Sequence, residues 1–241
     1  MSLHIHSITW NEARILPYWL RHYEQYASAI FVWDGGSDDG TRELLEAHPL
    51  VTVFDQQCAG LDDHYFTQCL MRYQDLSAEA DWCACIAADE FIYHSQLLQR
   101  LATLDDDATK VQLTGYTMYA DRFPTTNGQI YDEVKHGYPD CWSRKTVLFR
   151  PQATMRWKPG LHVEVSGDRP TVGTGIKLLH YRYLGADYYL ERTRRNYDRW
   201  RLAGIDVEFD ANRQHNLPDG SRGNPYEWYE ANVSKLEQVV D

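Results

Sequence analysis

Residues 82–93 read WCACIAADEFIY, and the two acids in that run are the first candidates for chemistry. Asp89 and Glu90 follow Cys85-Ile86-Ala87-Ala88 and precede Phe91-Ile92-Tyr93. Carboxylates in so apolar a segment are costly to bury unless they are paired, hydrogen-bonded or bound to a cation. Two further stretches hold polar residues of useful types: Asn11-Glu12, after the run LHIHSITW, and WDGGSDDGT at 33–41. Each stretch also has a structural reading. Asn11 can cap a helix, Asp38 and Asp39 can form a solvated turn, and Asp89 and Glu90 can cap the segment that follows. The elements around them decide.

LHIHSITW alternates apolar and polar residues and predicts a first strand over 3–10. The following segment places Leu16, Trp19, Leu20, Tyr23 and Ala27 on one helical face, with Pro17 tolerated in the first turn. AIFVWD (29–34) predicts a second strand, a Gly-rich turn leads into a short helix, and VTVF (51–54) predicts a third strand. This alternation is the pattern of a parallel, doubly wound sheet. A helix is expected over 61–80, a strand over 82–88, a helix in SQLLQRLATL, and strands in KVQLTGYTMYA, TVLFRP and IKLLHYRYL. A helix from Asp187 to Ala203 ends at Gly204. The expectation is one α/β domain over 1–204, its mostly parallel central sheet flanked by helices. Residues 205–241 add a polar loop and a C-terminal helix packed on that domain. Ligands bind such sheets beyond the strand ends, near the switch in strand order. All three polar stretches fall on that edge, which makes them a binding edge as a set.

The bulk composition narrows the ligand. A net charge of −11 argues against nucleic-acid binding by bulk electrostatics. The 17 Tyr and 8 Trp fill cores but also line pockets that stack rings. The cysteines, Cys58, Cys69, Cys83, Cys85 and Cys141, have no zinc spacing and read as reduced core residues of a cytoplasmic protein. No signal peptide or transmembrane run is visible.

Taken in order, ITWNEARILPYWLRHY, WDGGSDDGT, ADWCACIAADEFIYH, WKPGLHVEV and LLHYRYLGADYYLER resemble family 2 glycosyltransferases of the GT-A fold, a Rossmann-like α/β architecture. The likeness spans roughly residues 3–200 and is closest to a bacterial subgroup associated with surface-polysaccharide synthesis. It implies a nucleotide-diphosphate sugar donor, a saccharide or lipid-linked acceptor, transfer with inversion, and Mn²⁺ or Mg²⁺ at the diphosphate. Asp89 supplies the hard oxygen such a cation prefers, and His162 and His180 could each add an imidazole that suits Mn²⁺. Thr9, Asn11, Glu12, Asp34, Gly35, Asp38 and Ala88 would line the nucleotide-sugar site, with Asp34 or Asp38 accepting from base or ribose. Arg182 could pair with the diphosphate. Asp140, Glu164 and His162 are the candidates for the base that deprotonates the acceptor, and Trp142 and Trp157 could stack on a sugar.

This chain departs from those relatives at two places. Gly35 stands where they often have Asp or Asn, which removes a contact to the base. Ala87 stands where they place the first Asp of an Asp-x-Asp motif. Three explanations follow: Asp89, a late His and the diphosphate hold the metal; Glu90, Asp62 or Asp63 substitutes; or the protein binds a donor without catalysis. The first is favoured, because the second acid of the motif makes the principal metal contact in many such sites. The alternative function is therefore a non-catalytic nucleotide-sugar-binding protein, and a sugar-nucleotide nucleotidyltransferase ranks last. Residues 191–201 (ERTRRNYDRWR) read first as a solvated helix face, with Tyr189, Thr193, Tyr197 and Trp200 inward. The second reading is a dock for an anionic lipid-linked acceptor or a membrane surface.

Overall fold

The alternation of the first strand, β1 (Leu3–Thr9), does not mark a wet face. His6 is fully buried, and His4 and His6 each bond to Ser77 Oγ at 2.8 Å. A parallel sheet is covered on both faces, so its polar positions must find partners inside. The computed structural model describes all residues except 58, 59, 61, 141, 142, 159, 160, 162–164, 168, 205–230, 232 and 241. Expectations placed on Cys58, Cys141, Trp142, His162 and Glu164 therefore lie outside the described residues, as does most of the polar loop.

The described chain forms two compact units. The first comprises residues 1–57, 63–116 and 139–180, and the second residues 58–62, 117–138 and 181–241. These units interleave along the chain, each built from separate segments.

In the first unit, β1 leads to α1 (Leu16–Tyr23), with Pro17 in its first turn. Then come β2 (Ala29–Asp34), α2 (Thr41–Glu46), β3 (Val51–Asp55), α3 (Asp63–Met71), α4 (Tyr73–Leu76) and β4 (Trp82–Ala87). β5 (Glu90–Tyr93), α5 (Leu97–Ala102), β6 (Lys110–Val111) and β9 (Leu148–Phe149) complete its own elements. The main sheet has the order β3-β2-β1-β4-β9-β6. The first four of these strands are parallel, and β9 runs antiparallel to both β4 and β6. This is the mixed α/β, mostly parallel architecture the sequence predicts.

All five residues expected on the inner face of α1 and its continuation, Leu16, Trp19, Leu20, Tyr23 and Ala27, are buried. On α3 and α4, Cys69, Leu70 and Tyr73 pack with Trp33, Cys83, Cys85 and Phe149. Cys69, Cys83 and Cys85 are free thiols, and burial pushes Cys83 up to about 12. The single helix expected over 61–80 is broken at Arg72. Tyr73 follows the break, with its hydroxyl donating to Ala153 O at 2.7 Å.

One expected strand also divides. KVQLTGYTMYA becomes β6 and β7 (Thr114–Ala120), because its amides change partner at every step between them. Gln112 donates to Thr171 O, Leu113 to Lys145 O and Thr114 to Ile176 O. The strand that ends in the acidic pair likewise leaves the main sheet after Ala87 and restarts as β5. β5 pairs antiparallel with β10 (Lys177–Leu184), with His180 opposite Glu90.

The second unit holds α6 (Ile130–Glu133), β8 (His136–Pro139) as far as Tyr138, α7 (Ala186–Leu202) and β11 (Glu237–Gln238). The second sheet has the order β11-β8-β7-β10-β5. A C-terminal helix is expected within 205–241; among the described residues there, Val233–Lys235 form a 3₁₀ turn and β11 pairs with β8. Edge pairing wins there: the Val239 amide bonds to Lys135 O at 2.8 Å, and Val239 and Val240 are buried. On α7, Tyr189, Thr193 and Trp200 are buried, and Arg199 donates to Gly60 O. The exposed stripe Asp187, Glu191, Arg194, Asp198 and Arg201 mixes signs, which is the pattern of a solvated face. No described helix is long and apolar enough to cross a membrane.

Candidate active site

The chain winds outward from β1 through β2 to β3 and then returns to the other side of β1 as β4. The strand order thus reverses between β1 and β4, and the crevice at their carboxyl ends is where such sheets take ligands. Thr9-Trp10-Asn11-Glu12 leaves one side of that point and Ala87-Ala88-Asp89 the other. WDGGSDDGT leaves β2 alongside, with Thr9 opposite Asp34 in register.

The first two loops hold each other. Asn11 has φ 53°, a left-handed conformation that Asn tolerates. Its Nδ2 donates to Asp38 Oδ1 at 2.7 Å, and its Oδ1 accepts from the Asp38 amide at 2.9 Å. The Asn11 amide donates to Ser37 Oγ, Glu12 to Thr41 Oγ1 and Ala13 to Asp39 Oδ2. Asp34, buried, accepts from the Ser37 hydroxyl at 2.6 Å and the Ser37 amide at 3.2 Å. Much of the polar inventory of this edge is therefore spent on shaping it. Gly35 donates its amide to Thr9 O, and the buried Thr9 hydroxyl has no hydrogen-bond partner among the described residues.

Helix α1 fixes the acidic turn from below. Trp19 Nε1 donates to Ala87 O at 3.2 Å, and the Tyr23 hydroxyl donates to Glu90 O and accepts from the Ile92 amide. His22 Nε2 meets Ile92 O at 3.0 Å. The two acids then diverge. Glu90 turns inward, with Oε1 2.7 Å from Lys145 Nζ and Oε2 accepting from the Ala87 amide. Burial pushes the Glu90 carboxyl up, but Lys145 and then His180 outweigh it and hold it below its ordinary value.

Asp89, also buried, places Oδ2 3.0 Å from His180 Nε2. His180 Nδ1 lies 3.4 Å from Ser143 Oγ, which donates to Asp140 Oδ2 at 3.0 Å. Three residues singled out in the sequence, Asp89, His180 and Asp140, thus share one hydrogen-bonded line, completed by Ser143.

Among the described residues, no group of three or more His, Cys, Asp or Glu could by itself hold a metal ion. The described residues that would hold one, together with ligand oxygens or water, are Asp89 and His180. Asp89 Oδ2 and His180 Nε2 lie 3.0 Å apart, a hydrogen-bond distance.

Arg182 belongs to the second unit, its guanidinium over the rings of Tyr183 and Tyr189. Trp157 is buried in the core, with Nε1 donating to Thr146 O. Sequence reasoning missed Ser143 and Lys145. Neither carries a local signal, although a lysine with Thr146-Val147-Leu148-Phe149 after it could have suggested a buried charge needing an acid.

No known family model and no curated protein matches the chain. Solved structures do. The chain is similar to 4-diphosphocytidyl-2C-methyl-D-erythritol synthase at 14% identity and a TM-score of 0.45, over 71% of this chain and 89% of that one. It is also similar to mannosyl-3-phosphoglycerate synthase from Rubrobacter xylanophilus at 13% identity and a TM-score of 0.46, over 91% and 79%.

Proposed function

We propose that the chain is a glycosyltransferase of the GT-A type. It takes a sugar from a nucleotide-diphosphate sugar and passes it, with inversion, to a saccharide or lipid-linked acceptor, in the cytoplasm. One observation carries the reading: Asp89 is held buried beside His180 at the point where the strand order of a parallel sheet reverses. Bound between them, Mn²⁺ or Mg²⁺ would neutralise the diphosphate as it departs.

The chain's own residues supply the rest. Asn11 and Asp38 brace the rim against which base and ribose lie, and Gly35 and Gly36 admit the ligand close to backbone. Lys145 neutralises Glu90, whereas Asp89 shares its carboxylate with His180, and these two would hold the cation. Asp140, already an acceptor for the Ser143 proton, is the described carboxylate of the three candidate bases for the acceptor hydroxyl. The test is release of nucleoside diphosphate from a panel of nucleotide sugars with Mn²⁺ present. Turnover by the wild type and a loss of about 100-fold in Asp89→Asn are expected. An Asp89→Asn protein of full activity removes that residue from the mechanism, and a wild type that neither binds nor cleaves any donor ends the proposal.

Ala87 favours a second reading, a nucleotide-sugar-binding protein without turnover. Calorimetry showing donor binding with no transfer across a broad acceptor panel supports it. Activity gained by Ala87→Asp would show that the missing acid is the cause.

A further inference from the structure

Gln56 directly follows β3 and extends its pairing, with its backbone amide donating to Asp34 O at 2.9 Å. The residue is half-buried, yet its side-chain Nε2 and Oε1 are both out of solvent and have no hydrogen-bond partner among the described residues. A buried polar group without a partner is costly, and an apolar side chain of the same length would carry no such cost. The carboxylates around it are engaged. Asp34 accepts from Ser37, Asp38 accepts from Asn11, and Asp55 accepts from Arg42 at 2.6 Å. The two acids that the family resemblance implies for the base, Asp34 and Asp38, are thus both in use. Gly35 offers no side chain at all. At the same strand ends, Gln56 carries an amide that meets nothing.

The surroundings suit a flat ring. Trp33 and Phe54 stand opposite each other in register on β2 and β3, their rings stacked at 5.1 Å. The Arg72 guanidinium lies 5.7 Å from the Phe54 centroid. Strand alternation puts Gln56 on the side of Phe54. The Thr9 hydroxyl, the other unmet group of this edge, ends β1 on the far side of β2, about 10 Å away across two strand spacings. A primary amide carries a donor beside an acceptor, the pattern on the hydrogen-bonding edge of a nucleobase, and meets such an edge with two bonds. From this we infer that Gln56 is a specificity-determining residue, whose side-chain amide turns to the base of a bound nucleotide and reads its edge. Rotation about the single bonds of the side chain brings the amide to a ligand on the strand ends without moving the sheet. The inference rests on the proposed nucleotide-diphosphate sugar donor, and the cation has no part in it.

The experiment is calorimetric binding of UDP, GDP, CDP and ADP to the full chain, read as ratios of affinity so that the shared diphosphate cancels. The wild type should prefer one base. Gln56→Met keeps the length of the side chain and removes its polar atoms. It should unfold at the wild-type temperature or above, yet cut the preference by about 10–100-fold. Gln56→Glu accepts but does not donate, so it should raise GDP relative to UDP. Guanine offers N1–H and N2–H₂ side by side, whereas uracil offers a single N–H between two carbonyls. Wild-type ratios in Gln56→Met overturn the inference, as does an equal loss of affinity for all four ligands. An unchanged GDP-to-UDP ratio in Gln56→Glu does the same, and so does a wild type that binds without preference. In each of these cases nucleotide binding itself stands. A wild type that binds none of the four removes the nucleotide-sugar reading and the inference together.

Discussion

Lys145 Nζ lies 2.7 Å from Glu90 Oε1 with both side chains almost wholly out of solvent, so the acid next to Asp89 is neutralised by the fold itself. Removing one partner of a buried pair strands the other charge, which typically costs about 3–5 kcal/mol. Glu90→Gln and Lys145→Met should each lose that much stability in urea unfolding. The double variant should recover most of it, because an uncharged pair leaves no charge to desolvate. Additive losses in the double variant would show that the two charges do not depend on each other.

Asn11 combines a left-handed backbone with two side-chain bonds to Asp38. Asn11→Gly keeps the conformation and loses the bonds, for roughly 1–2 kcal/mol. Asn11→Ala loses the bonds and adds the strain of a β-carbon, about 1 kcal/mol more. Denaturant melts of the two variants separate these contributions. Equal stability of the two variants would rule out the strain.

The Tyr23 hydroxyl bridges Glu90 O and the Ile92 amide in a fully buried place. Tyr23→Phe leaves both groups unpaired, at a cost of about 1–3 kcal/mol. Amide exchange at Ile92 should speed up more than at Ile86, which lies in the main sheet. Unchanged protection of Ile92 would mean that α1 does not hold the acidic turn through this hydroxyl.

Acid should weaken the fold before any carboxylate titrates. Burial lowers His22 to about 4, against a smaller upward pull from its bond to Ile92 O, and burial lowers His6 to about 3 with His4 adding to the effect. The unfolded chain takes up these protons near 6.5, the folded chain only near 4 and 3. Between those limits the unfolded state binds more protons, so stability is full above pH 6.5 and falls as the pH drops toward 4. His22→Gln keeps a donor for Ile92 O and should make that slope shallower by up to about 1.4 kcal/mol per pH unit. Melting temperatures from pH 7 to 4.5 check this, and parallel curves for variant and wild type would refute it.

The order of strands and helices was legible in the sequence because apolar spacing is local: a period of two or of three to four needs only neighbours along the chain. That order, with the polar stretches at the ends of β1, β2 and β4, brought Asp89 to the carboxyl-end edge of the sheet. The inner face of α1 was legible for the same reason. Which polar groups are spent on each other was not, since pairing depends on distance and angle across the fold. Asp34 turns to Ser37, Asn11 to Asp38 and Glu90 to Lys145. Asp89 meets His180, 91 residues further along the chain. The division of two apolar runs between sheets was hidden too, because a strand pattern shows that a segment pairs but not with which neighbour. The sequence by itself therefore determined where the acids stand, and only the tertiary structure decided which partner each of them meets, because that pairing is set by distances across the fold.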